Sequence, residues 1–142
     1  MCGIFGIFSN KLVTKLILDG LTKLEYRGYD SSGISILDNN KKIHTLRAKG
    51  KLKNLINKVN KNFPSGFVGI GHTRWATHGV PSTINAHPHT SESVSIVHNG
   101  IIENYSHLKK KLTILGYKFY SETDSEVIAH LLDNELKRNN PT

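Results

Sequence analysis

MCGIFGIF, Met1–Phe8, puts the only cysteine of the chain directly before a short apolar run. Gly3–Phe8, closed by Ser9 and Asn10, has the length and boundaries of a buried strand. Position 2 is chemically special. Removal of Met1 leaves the thiol beside a free α-amine, a group of ordinary pKa about 7.7–8.0. Near neutral pH much of that amine is unprotonated, so nucleophile and base share one residue. An internal cysteine lacks this arrangement. The other reading of Cys2 is a small buried hydrophobe without chemistry.

Outward from this strand, apolar residues recur at helical spacing from Lys11 to Leu24 (Leu12, Val13, Leu16, Ile17, Leu21, Leu24) and again at Leu52, Leu55, Ile56, Val59 and Phe63. Between them, Gly33–Leu37 and Ile43–Arg47 read as strands joined by the turn Asp38–Lys41, after the turn-rich segment Glu25–Gly33. Phe67–Gly71 and Val94–Val97 are further strands. Tyr105, Leu108, Leu112 and Leu115 mark a third helix stopped by Gly116. Thr123 followed by Glu126 reads as a capping box opening a fourth, with a stripe of Val127, Ile128, Leu131 and Leu132. Hairpin-linked strands with helices in separate blocks predict an α+β layered fold rather than a doubly wound sheet.

The 142 residues suffice for one domain, with 37 % hydrophobic and 21 % charged residues. No run reaches the ~20 apolar residues that span a bilayer, and no basic leader precedes the first strand. A single cysteine excludes an intrachain disulfide and points to a reducing compartment, the cytoplasm. Neither a membrane nor a nucleic acid is expected as partner. The net charge of +8 comes mainly from scattered lysines, as in KLKNLINKVNKNF (Lys51–Phe63), without an aromatic-and-basic strand signature or zinc-finger spacing.

Gly71–Gly100 is the unusual segment: GHTRWATHGVPSTINAHPHTSESVSIVHNG holds five of the eight histidines and the only tryptophan. Structureless loops beyond about 12–15 residues are uncommon in compact domains and are usually functional or disordered. The histidines His72, His78, His87, His89 and His98 are candidate metal ligands, but no HExxH or second cysteine accompanies them, and no metal or other cofactor is expected. His87 and His98 read as structural. Asn99 and Gly100, after a strand, supply a side-chain amide and an approachable backbone N–H of the kind that holds an oxyanion. An ordinary Asn-Gly turn reads the same way.

Six segments in order carry a resemblance: MCGIFGIF, LEYRGYDSSGI (Leu24–Ile34), GHTRWATHG (Gly71–Gly79), NAHPH (Asn85–His89), VHNGIIEN (Val97–Asn104) and SETDSEVIAHLL (Ser121–Leu132). Together they resemble the glutaminase domain of the glutamine–fructose-6-phosphate aminotransferases, a hexosamine-forming branch of the class II glutamine amidotransferases. The likeness is collinear to about residue 136. It implies an N-terminal nucleophile hydrolase, a four-layer αββα sandwich. It also implies a reaction in which Cys2 attacks the side-chain amide of L-glutamine and Asn99 and Gly100 hold the oxyanion. By the same likeness Arg74 binds the substrate α-carboxylate and Asp124 its α-ammonium, and Thr77 and His78 line the pocket. Trp75 belongs to a covering loop, and Arg27 supports the nucleophile. The residue chemistry agrees: a pocket selecting a zwitterion needs one fixed cation and one fixed anion, and guanidinium–carboxylate forks are bidentate. Without the likeness, Asp124 reads equally as a charge complementing a helix N-terminus.

The family domain continues beyond residue 142 and is followed by sugar-isomerase domains. Residues 1–142 are therefore expected to be the N-terminal part of an amidotransferase domain, with a sandwich incomplete at its C-terminal end and the sugar-isomerase domains absent. The expected partners are L-glutamine and an ammonia-accepting sugar-isomerase protein or domain; the oligomeric state is left open. The alternatives are a free-standing glutaminase, a non-catalytic fragment or binding module docking on a full-length synthase, and a basic nucleic-acid-binding protein.

Overall fold

The computed structural model describes residues 2–59, 62–76 and 79–139. Strand β1 (Gly3–Phe8) leads into helix α1 (Thr14–Leu24) and a 3₁₀ turn at Glu25–Arg27. Strands β2 (Ser31–Leu37) and β3 (Ile43–Lys49) form a hairpin, followed by α2 (Leu52–Val59) and β4 (Val68–Arg74). A short ribbon, β5 (His89–Thr90) and β6 (Ser95–Ile96), precedes helices α3 (Tyr105–Ile114) and α4 (Glu126–Asn139). The first four strands make one antiparallel sheet in the order β1-β4-β2-β3, with Gly3 opposite Thr73 and Gly33 opposite both His72 and Arg47.

Alternation along these strands gives the sheet two unlike faces. One face carries Phe5, Ile7, Ile34, Ile36, Leu46 and Ala48, and α1 and α2 cover it with Val13, Ile17, Leu21, Leu52 and Leu55. Gly71 lets α1 sit close: a Cβ there would lie 2.6 Å from the Ile17 side chain. The opposite face is polar. Ser35 accepts from Ser95 of the ribbon at 2.7 Å, Arg47 donates to the Ile84 and Ala86 carbonyls at 3.2 and 3.4 Å, and His72 stacks on His87. Helix α4 packs on the ribbon and α3 on α4. The layers are therefore helix, sheet, ribbon and helix, the αββα order. Because both its faces are covered, β2 is buried over six of its seven residues. The expectation of a buried strand at Gly3–Phe8 is corrected: β1 is covered on one face only, and on its polar side Ile4 and Phe8 are exposed.

The expected elements are all present, with shifted bounds. Strand β4 runs on to Arg74 where the sequence pattern suggested an end at Gly71, because His72, Thr73 and Arg74 pair with β1 and β2 as polar strand residues. The capping box is corrected. Glu126 does reach back, but to the Tyr120 and Ser121 amides and the Ser121 hydroxyl, while the Thr123 hydroxyl faces His89 at 2.8 Å. The stripe on α4 is corrected in part: Val127 is buried as expected, but Leu132 is exposed and Glu126, His130 and Asp133 are buried beside Val127 and Ala129. The helix rests on a polar layer, so its inner face is mixed. Asp133 there accepts from the Ser93 amide and hydroxyl and from Tyr117.

Candidate active site

Four segments converge at one end of the sheet: the start of β1, the corner after β4, the Val97–Gly100 segment after the ribbon, and the stretch before α4. The corner after β4 is held by the Tyr26–Asp30 turn. The Asp30 amide donates to the Arg74 carbonyl at 3.1 Å, and the Asp30 carboxylate accepts from the Ala76 amide. Gly28 lies so close that a Cβ would be 2.7 Å from the Arg74 carbonyl carbon. Tyr29 meets Trp75 edge to face with ring centroids 5.2 Å apart.

These segments enclose a cavity of about 430 Å³. Cys2, Arg27, Arg74, Trp75, Asn99, Gly100 and Asp124 all line it. Seven of the nine site residues expected from the sequence thus meet in one place. The other two, Thr77 and His78, lie outside the described residues. Half-buried Cys2 receives the Trp75 backbone N–H on its sulfur at 3.2 Å. Asn99 donates from Nδ2 to the Cys2 carbonyl oxygen at 3.1 Å. Arg74 is 4 % exposed and donates from Nη2 to the Gly79 carbonyl at 3.0 Å. Asp124 is 5 % exposed, and its Oδ2 accepts from the Ile102 amide at 2.5 Å. One cation and one anion, both buried, therefore border the cavity that holds the thiol.

Of the histidines expected to be structural, His87 lies between two others: it stacks on His72 with centroids 4.4 Å apart and meets His89 edge to face at 4.5 Å. Burial pushes the His72 imidazole down to about 4 against the favourable hydrogen bond to Asn99 Oδ1 at 2.8 Å. Burial likewise lowers His89 to about 4. Burial, reinforced by repulsion from His72 and His89, holds His87 far below the usual imidazole range. His87 Nδ1 accepts from the His98 amide at 3.3 Å, and His98 Nδ1 faces Ser125 Oγ at 3.0 Å. Sequence reasoning missed His72 as a neighbour of Asn99 and missed Asp30 as the anchor of the corner. No sequence signal located His72, since its contact with Asn99 arises from packing between the sheet and the segment after the ribbon. Among the described residues, no three metal-ligating groups are gathered as an ion would require. No helix among them is long and apolar enough to cross a membrane.

Residues 57–135 match the family model described as a glutamine amidotransferase domain. The chain is 54 % identical over 141 residues to the glutamine–fructose-6-phosphate aminotransferase (isomerizing) of Buchnera aphidicola, covering 99 % of this chain and 23 % of that one. It is 57 % identical over 135 residues to the protein of the same name from Caldanaerobacter subterraneus, covering 94 % and 22 %. The chain thus spans less than a quarter of the length of these relatives. Among solved structures, the glutamine phosphoribosylpyrophosphate amidotransferase of B. subtilis, complexed with ADP and GMP, superposes with a TM-score of 0.75 at 28 % identity. That match covers 94 % of this chain and 29 % of the other. An allosteric regulatory enzyme of purine biosynthesis superposes with a TM-score of 0.77, also at 28 % identity and with the same coverage.

Proposed function

Because the chain belongs to the glutamine amidotransferase domain family, we propose that it hydrolyses the side-chain amide of L-glutamine at Cys2 and releases ammonia. Its αββα layering is that of the N-terminal nucleophile hydrolases, the fold of the structural relatives. The observation that carries the proposal is the convergence of thiol, oxyanion donors and a buried charge pair on one cavity.

With Met1 removed, the Cys2 α-amine takes the thiol proton and Sγ attacks the amide carbon of glutamine. Negative charge gathers on the former carbonyl oxygen, where the Asn99 Nδ2 group and the Gly100 N–H stabilise it. The carbon–nitrogen bond breaks, the α-ammonium returns the proton to the leaving nitrogen, and ammonia departs. Water then cleaves the γ-glutamyl thioester to glutamate and restores the thiol. Arg74 holds the substrate carboxylate through a bidentate fork, and Asp124 holds the ammonium. Trp75, braced by Tyr29, belongs to the loop that covers the bound amino acid, Thr77 and His78 line its pocket, and Arg27 supports the thiol.

The relatives' name supports a finer reading. The ammonia passes to a sugar-isomerase domain or protein that aminates fructose 6-phosphate, with residues 1–142 acting as the glutaminase part. No residue of this chain is assigned to the sugar. A nucleophilic thiol that must stay reduced fits the cytoplasm. The test is the intact mass before and after treatment with a diazo-ketone analogue of glutamine. Loss of Met1 and one adduct on Cys2 are expected. Folded protein with no adduct overturns the reading.

A further inference from the structure

Asn99 is held from two sides. One end of its carboxamide lies 3.1 Å from the Cys2 carbonyl oxygen, the other 2.8 Å from His72 Nε2. A main-chain carbonyl only accepts, so the end facing it is the NH2 group. The amide oxygen is thereby turned to His72, and that oxygen also only accepts. His72 Nε2 must carry a proton. One amide orientation and one imidazole tautomer satisfy both contacts.

His72 is well placed to enforce this. It sits in β4, paired on both sides, and is 1 % exposed. Its ring stacks on His87 at an interplanar angle of 17°. His87 is itself fixed by the His98 amide, the residue preceding Asn99. The strand, the stacked ring and the turn therefore form one rigid support.

Resting on the reading of Asn99 as an oxyanion donor, we propose that His72 is a positioning residue, whose Nε2–H fixes the Asn99 carboxamide with its NH2 turned toward the Cys2 side of the cavity. The carboxamide is nearly symmetric in shape but opposite in polarity at its two ends. Turned over, it would present an oxygen to the developing negative charge and repel what it is there to hold. Loss of the His72 proton donor removes the bias between the two orientations. That loss is felt in the transition state, where the charge appears, and little in substrate binding.

The test compares His72→Leu, which keeps bulk without a donor, with His72→Gln, whose amide places an N–H near the position of Nε2. For glutamine hydrolysis by the full chain, His72→Leu is expected to lower kcat about 10²-fold with KM within about 3-fold, and His72→Gln to recover to within about 10-fold of the parent. ¹⁵N NMR of the unmodified chain is expected to show His72 as the Nε2–H tautomer, with the Asn99 side-chain amide resonances displaced in His72→Leu and retained in His72→Gln. An unchanged kcat in His72→Leu, equal losses in both variants, or an Nδ1–H tautomer overturns the proposal. The NMR outcome decides even if the chain turns over slowly. Hydrolysis that persists in Cys2→Ala is a separate result and removes the underlying assignment of the nucleophile instead.

Discussion

The backbone N–H of Trp75 points at the sulfur of Cys2 across 3.2 Å, and the thiol in turn faces the Trp75 carbonyl at 3.5 Å. The residue before β1 and the residue after β4 are thus linked by the Cys2 side chain and the Trp75 main chain. The two contacts hold the sulfur at the mouth of the corner after β4, beside the cavity. Cys2→Ala should abolish glutamine hydrolysis by more than about 10³-fold while moving stability by less than about 0.5 kcal/mol, since the sulfur is only half buried. Glutamate release and a urea melt of the same preparation check both halves. Retained turnover excludes Cys2 as the nucleophile.

Arg74 projects from the end of β4 into the same cavity, buried and tied to the Gly79 carbonyl. If it clamps the substrate carboxylate, the contact is present in ground and transition states alike. Arg74→Ala should then raise the glutamine KM by about 10²-fold, with kcat changed far less. Arg74→Lys should recover only part of this, because an ammonium cannot form the planar fork. A fall in kcat at constant KM would assign Arg74 to the reacting amide instead of the carboxylate.

Gly33 on β2 marks where the two inner layers touch. A Cβ at this position would lie 2.1 Å from the His87 carbonyl oxygen, a main-chain atom that cannot swing aside. Gly33→Ala should therefore destabilise the fold by about 1–3 kcal/mol or more and push the histidine stack away from the sheet. Equilibrium urea unfolding, together with glutamine KM and kcat, checks this. A neutral effect on both would mean that the 85–100 segment is not seated on β2 as described.

How far the site could be read from the chain differs by region. Cys2, Arg74, Asn99, Gly100 and Asp124 were singled out together by the family resemblance, while each alone also read as a structural residue, and the structure brings all five to one cavity. Hairpin-linked strands and segregated helices indicated an α+β layered fold, and the αββα order came from the family resemblance. The polar inner layer was not legible. Helix α4 was read by its apolar stripe, yet it also buries Glu126, His130 and Asp133, and the last two find partners far away in sequence, Ser91 and Ser93. Likewise His72 and Asn99 are 27 positions apart, and they meet only because the segment after the ribbon packs on the polar face of the sheet. Periodicity reports which side of an element is apolar; it does not report which polar groups will meet.

The histidine stack makes stability depend on pH in a predictable direction. His72 and His89 titrate near 4 in the folded chain and His87 lower still, against about 6.5 for an unfolded imidazole. Between these values the unfolded chain binds more protons, so unfolding becomes easier as pH falls from about 6.5 toward 4. Each imidazole contributes up to about 1.4 kcal/mol per pH unit in that window. Glu126 extends the trend below it. Burial opposes its ionisation, but bonds from His130, Ser121 and the Tyr120 amide outweigh that and hold the carboxyl at about 2. Its stabilisation is complete above about 4.5 and is lost as pH falls toward 2. Urea midpoints should therefore drop steadily from pH 7 to pH 5, where carboxylates scarcely titrate, and His89→Gln should shallow the slope by one proton. A midpoint constant over that interval would show that the stacked imidazoles are not buried in their neutral form.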